Sequence, residues 1–279
     1  MGASGLGSRA IIGEFYNKLA IDPGLAWIND VSMQFDSNQE SETYKWLGMA
    51  PAMREWIGGR NAKGFRENGI TIVNKTFEAT MEVLVDEMRR DKTGQIMVRV
   101  NEMADRVNAH WAKLLTTLIV AGEAGVCYDG QYFFDTDHAE GDSGAQSNDL
   151  TFNVTTPTAP TASEMEQAIM AAVSAMMAFK DDQGEPMNEN AKSFLVMVPT
   201  PFMYAAAAAL KNPVIVDGSG ARTNLITNIG GFNFGLAVNP RLSWTDKFAL
   251  FRTDSETKAL IRQEEEGVTV SAIAEGSEL

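Results

Sequence analysis

Thr76-Phe77-Glu78-Ala79-Thr80-Met81-Glu82-Val83-Leu84-Val85 leads through Arg89-Arg90-Asp91-Lys92-Thr93-Gly94 into a long stretch with helical periodicity over residues 96–122. In the first part Phe77, Ala79, Met81, Val83 and Val85 alternate with Glu78, Thr80 and Glu82, and only Leu84 breaks the alternation. Period two is the signature of extended backbone, so a strand is predicted over about 76–85, roughly 30 Å long. Two such strands would make a long, thin hairpin. Glu78 and Glu82 share a face, which stays wet or meets basic groups. The Arg89 to Gly94 stretch reads as a charged turn. In the second part Met97, Val100, Ala104, Val107, Trp111, Leu114 and Leu118 recur at spacings of three and four. That predicts one helix about 40 Å long with a narrow apolar stripe, helped by the i,i+4 pair of Glu102 and Arg106. A helix of this kind is a strut lying across another element. A coiled coil is the weaker reading, because its three heptads lack matched charges.

Upstream, a short helix is expected over 11–19, interrupted at Pro23 and Gly24, and residues 37–41 are polar and loop-like. The whole 1–40 segment reads as an arm outside any core. Residues 42–95 change character: Tyr44, Trp46 and Trp56 are large aromatics close in sequence, while Gly48, Pro51, Gly58 and Gly59 forbid a long helix. Ile70-Thr71-Ile72, after Asn68-Gly69, also alternates. Downstream, 123–160 is rich in turn residues, with strands expected at 131–134 and 150–154. Residues 161–260 read as an α+β unit. Ser163 and Glu166 fit a capping box for a helix to about 180. Residues 194–198 form a continuous apolar run suited to a buried strand. Thr200-Pro201 opens an alanine-rich helix to Leu210. A glycine-rich loop is expected over 217–235, then strands at 235–238, 248–252 and 268–273.

Composition narrows the function. The chain has 279 residues, 44% of them apolar and 22% charged, as in an ordinary globular protein. Its 23 Lys and Arg against 37 Asp and Glu leave a net charge of −14, unsuited to a sequence-independent nucleic-acid binder. One cysteine excludes an internal disulfide framework and any multi-cysteine zinc site. No secretory signal and no apolar stretch of membrane-spanning length is present, so a reducing cytoplasm is the expected setting.

The candidates for chemistry are thin. Cys127, Asp129, Asp135, Asp137 and His138 crowd one stretch and offer the residue types of nucleophilic catalysis, so a hydrolase using Cys127, Asp137 and His138 is one reading. A structural turn is the favoured one. A calcium loop from Asp135 fails, since Ala139 and Glu140 stand where an oxygen ligand and a glycine are needed. His110 reads as a partly buried polar side chain beside the helix stripe. Residues 217–223 carry glycines but no phosphate-loop signature, and Glu264-Glu265-Glu266 reads as a solvated turn. No cofactor and no metal is expected. A long hairpin and an arm that cannot bury themselves point to burial against other copies of the chain.

Several motifs together resemble one family. Glu42-Thr43-Tyr44-Lys45-Trp46-Leu47-Gly48, Met53-Arg54-Glu55-Trp56-Ile57-Gly58-Gly59-Arg60, Asn74-Lys75-Thr76-Phe77-Glu78-Ala79-Thr80 and the run from Cys127 to His138 resemble the Mu-like phage and prophage major head subunit. The likeness extends over roughly residues 8–279. It implies an α+β chain of the tailed-phage and herpesvirus major capsid fold, which self-assembles as hexamers and pentamers into an icosahedral shell. On that pattern 1–41 is the N-terminal arm and 42–95 the extended loop. Residues 96–160 are the spine helix and peripheral strands, 161–260 the axial domain, and 261–279 the return to the peripheral domain. Tyr44, Trp46, Trp56, Arg60, Phe77, Glu78, Glu82, Arg89 and Arg90 become the expected inter-subunit contacts. Scaffold, portal and decoration proteins become expected partners, with packaged DNA enclosed without sequence-specific contact and no membrane. The resemblance places the protein in the virion, assembled in the host bacterial cytoplasm. A ring or tube component of a phage particle is the alternative. Family members continue past the position of Leu279, and the start, from Met1 to Gly7, does not resemble the family.

Overall fold

In the computed structural model the described residues are 8–21, 25–45, 69–91, 94–127, 129–218 and 220–271. The N-terminal half runs through helices α1 (Ser8–Ile21) and α2 (Trp27–Val31), strands β1 (Ser32–Asp36), β2 (Ser41–Lys45) and β3 (Gly69–Val73), then α3 (Val85–Arg90), α4 (Gln95–Asn108) and α5 (His110–Ala121). After a turn-rich segment come α6 (Ala162–Met177), β4 (Ser193–Val198), α7 (Met203–Lys211), β5 (Val214–Asp217) and β6 (Gly220–Thr223). Helix α8 (Leu225–Asn228) and strands β7 (Asn233–Val238), β8 (Ala249–Arg252) and β9 (Leu260–Glu264) complete the order.

The centre is a three-stranded sheet in which β4 runs parallel to β7 and antiparallel to β8. The continuous apolar run of β4 is explained by burial on both faces. Val196 and Val198 join Met165, Ile169, Ala206 and Ala209 of α6 and α7. Leu195 and Met197 join Trp27, Ile28 and Val31 of α2 and Ala112, Leu115 and Ile119 of α5. A second ladder pairs β1 with β9 in parallel, Ser32 opposite Leu260, and a third pairs β2 with β3 antiparallel, Ser41 opposite Val73.

Several expectations need correction. Residues 8–21 and 25–36 do not stay outside a core. Phe15 of α1 is buried with Ile96, Val100 and Ala104 of α4, Lys18 reaches Asp105 at 3.2 Å, and α2 supplies three core side chains. The expected single helix over 96–122 is two helices meeting at Ala109, whose ψ of −2° departs from the helical value near −42°. The buried face shifts there by one position. Ile96, Val100 and Ala104 face α1, but Ala112, Leu115 and Ile119 face the central sheet, leaving Leu118 half exposed. Two different cores therefore impose two phases on one stripe.

The capping box of α6 is formed by Thr161 and Glu164 rather than by Ser163 and Glu166. Thr161 has the extended backbone an N-cap needs, and Ser163 is already inside the helix. Thr200 caps nothing: a 3-10 turn, Thr200–Phe202, buries Phe202 before α7 begins. The expected loop over 217–235 holds β6, α8 and the start of β7, with Asn224 capping α8 through Ile226 N (2.9 Å) and tying it to Ala209 O (2.6 Å). Neither 131–134 nor 150–154 is a strand. Over 131–134 the backbone folds back on residues 122–127 through one isolated bridge, Val126 with Tyr132, and side chains take further groups: Asp129 accepts from Gln131 N, Asp135 from Tyr132 N, and Asn148 donates to Phe133 O. The last strand is β9, earlier than expected. Residues 268–271 are not strand, and 272–273 lie outside the described residues.

Candidate functional site

The β2–β3 pair belongs to the segment expected to reach other copies, and it is fastened to the body by side chains. Tyr44 of β2 lays its ring against Phe35 of β1, centroids 5.1 Å apart, and its hydroxyl donates to Gln263 Oε1 of β9 at 2.8 Å. Burial, with Glu42 nearby, raises the Tyr44 hydroxyl above its ordinary value, so it remains a donor. Gln263 donates from Nε2 to Asn74 Oδ1 at 2.7 Å, and Asn74 donates from Nδ2 to Gln39 O at 2.7 Å and to Glu265 Oε2 at 3.0 Å. One tyrosine, one glutamine and one asparagine thus lock the β2–β3 pair to the β1–β9 ladder. The strands themselves stay open to solvent: Ile70 is 37% and Val73 56% exposed.

Residues 74–84 then run without a ladder, and the expected strand at 76–85 is absent, with α3 starting at Val85. The period of two is nevertheless real. Met81 and Val83 pack onto the cluster of Phe15, Ile96 and Val100. Phe77 sets its ring against His110, centroids 4.4 Å apart, while remaining 55% exposed. Glu78 and Glu82, between them, face solvent. The alternation reports extended backbone pressed along helices, with no partner strand among the described residues. His110 is half-buried, as its position beside the stripe implied. Burial, with Lys113 next, lowers its imidazole below the ordinary value.

Among the described residues, the expected contact residues belong to different elements. Tyr44 sits on β1 and β9, Phe77 at the head of α5, and Arg89 and the exposed Arg90 on α3. Trp46, Trp56 and Arg60 lie outside the described residues. Asp91 accepts from Gly94 N and Ile96 N and so closes the charged turn onto the start of α4.

Residues 129–138 form turns and bends with two isolated bridges, Tyr132 with Val126 and His138 with Gln146. His138 Nδ1 pairs with Asp129 Oδ2 at 2.6 Å, and its Nε2 is buried without a hydrogen-bond partner, so neither nitrogen is poised on the Cys127 thiol. Among the described residues no group of three or more His, Cys, Asp and Glu is arranged to hold a metal ion. No helix there is long and apolar enough to cross a membrane.

Sequence reasoning missed two polar assemblies. One is the Asn74–Gln263 fastening, whose members lie far apart in the chain. The other is beneath the β5–β6 hairpin, where Glu166, almost fully buried on α6, pairs with Arg222 of β6 and accepts from Leu225 N at 2.6 Å. Arg222 also reaches Asp217 at 3.2 Å. The available signal was Glu166 itself, a charge beside Met165 and Ile169 on the buried face of α6.

A family model described as "Mu-like prophage major head subunit gpT" matches residues 13–162, a little over half of the chain. A relative named "Major capsid protein", from Escherichia phage Mu, is 36% identical over 110 residues, which cover 39% of this chain and 36% of that protein. The chain therefore aligns with about a third of this relative's length. The procapsid protein of bacteriophage JBD30 superposes with a TM-score of 0.62 at 24% identity, over 83% of this chain and 96% of that one. The JBD30 capsid decorated with minor capsid protein trimers gives 0.56 at 22% identity, over 76% and 90%. The fold is thus that of phage capsid proteins, the α+β tailed-phage architecture that the sequence motifs implied.

Proposed function

Because the chain belongs to the family of the Mu-like prophage major head subunit, we propose that it is itself a major head subunit, assembling with copies of itself into the closed shell that encloses phage or prophage DNA. The observation that carries this reading is the β2–β3 pair: a segment fastened to the body by side chains while Ile70, Val73 and Phe77 remain open to solvent. Apolar side chains presented on a fixed mount gain their burial from a neighbouring copy. In a shell each contact needs only about the standard ~1,600 Å², because the contact repeats around every copy.

On this reading 1–41 is the arm, 42–95 the extended loop, 96–160 the spine and peripheral elements, 161–260 the axial domain and 261–279 the return. Tyr44, Trp46, Trp56, Arg60, Phe77, Glu78, Glu82, Arg89 and Arg90 contribute contacts between copies. Scaffold and portal proteins are partners. Decoration by minor capsid proteins extends to this chain what the JBD30 capsid carries. Assembly takes place in the host cytoplasm, and the subunit performs no catalysis. The net charge of −14 favours loose enclosure of DNA over tight gripping. Trp46→Ala and Trp56→Ala leave the melting temperature close to wild type and prevent shells, as read by sedimentation. Full-size shells from both variants would remove the extended loop from the account.

A further inference from the structure

The face between α5 and the turn after β7 carries an open depression of about 310 Å³ lined by Lys113, Thr116, Thr117, Val120, Arg241 and Ser243. Its walls are tied together from below. Asn239, almost fully buried, donates from Nδ2 to Thr116 Oγ1 at 2.8 Å and accepts from Arg241 N at 3.0 Å. The turn that carries Arg241 is thereby pinned to the helix that carries Lys113. Both cationic side chains are exposed, and neither has a carboxylate partner among the described residues. The chemistry of the walls is unusual for this chain. With 37 Asp and Glu in 279 residues, it nevertheless has no carboxylate in 113–120 or in 241–243, the two stretches that line the depression. Of the carboxylates just beyond these stretches, Glu123 pairs with Lys247 at 2.9 Å, and Asp246 also acts on that ammonium.

We propose that this depression is a phosphate-group site, in which the Lys113 ammonium and the Arg241 guanidinium hold the anion and the Ser243 and Thr117 hydroxyls complete its hydrogen bonds. Ammonium and guanidinium donors make their strongest hydrogen bonds to such oxyanions, and clearing carboxylates from the walls removes the repulsion the rest of the surface would exert. The site goes beyond the shell reading and does not depend on it. A free phosphate and a nucleic-acid phosphodiester present the same chemistry here.

The test titrates inorganic phosphate and, separately, a short mixed-sequence DNA duplex into the purified full chain in chloride buffer, followed by calorimetry. The expected result is saturable phosphate binding, weakened about tenfold or more by Lys113→Gln/Arg241→Gln. A charge-matched Lys180→Gln/Lys211→Gln control should leave it unchanged. Ser243→Asp, which adds a carboxylate and removes neither cation, should abolish it. Duplex binding with a log–log salt slope of about −2, lost in the same variant, identifies the phosphodiester as the ligand. Phosphate binding alone identifies a free-anion site. No saturable phosphate binding by the wild type, equal binding by wild type and the Lys113→Gln/Arg241→Gln variant, or an equal loss in the control overturns the proposal.

Discussion

Glu164 is held by the groups at the start of α6. It accepts from Thr161 N at 2.8 Å and Thr155 N at 2.6 Å, and these bonds, the Thr161 N–H first, lower its carboxyl to about 2 from an ordinary 4.5. A carboxyl whose folded value is depressed stabilises fully above the unfolded value and loses that contribution as pH falls through the folded one. Glu164→Ala should therefore cost about 1 kcal/mol at neutral pH, and the gap from wild type should close between pH 4.5 and 2 in denaturant titrations. The capping residue was nearly legible in sequence. Thr161 with Glu164 and Ser163 with Glu166 both have the right spacing, and only the extended backbone at Thr161 chooses between them. His110 is half-buried as its place beside the stripe implied, because local polarity settles it. Glu166 was not legible, because its partner Arg222 arrives from a hairpin 56 residues later.

Among the secondary-structure elements, α5 offers the sharpest check. Leu115 is 2% exposed against the central sheet and Leu118 is 50% exposed, although the stripe seen in sequence favours Leu118. Leu115→Ala should cost about 2–5 kcal/mol and Leu118→Ala at most about 0.5 kcal/mol in folding stability, read by chemical denaturation. Reversed costs would restore a single uninterrupted helix. Periodicity reports how a backbone is shaped and which side is apolar, not what lies opposite. Met81 and Val83 alternate with exposed neighbours because they pack on α1 and α4, so the pattern there was right and the inferred ladder was not. The β4 run carried enough apolar residues in a row to mark burial on both faces, and it lies where expected. The pairing of β1 with β9 joins segments more than 200 residues apart and had no local signature. The family motifs, by contrast, made the architecture legible even where periodicity misplaced individual strands.

For the molecule as a whole, charge and exposed apolar surface act in opposite directions. A charge of −14 on each copy keeps subunits apart, while the open side chains of β3 and Phe77 favour contact. Salt screens the first over about 8–10 Å and strengthens the second only slightly, so raising salt should lower the protein concentration at which particles form. Light scattering against salt concentration reads this, and assembly that weakens with added salt would assign the contacts to ion pairs instead. The most direct measurement is electron microscopy of the purified full chain, joined to sedimentation velocity on the same sample. The account predicts closed shells or discrete capsomers built from many copies. A homogeneous population of single subunits, at every salt and protein concentration tried and in the presence of the other head proteins, would contradict it.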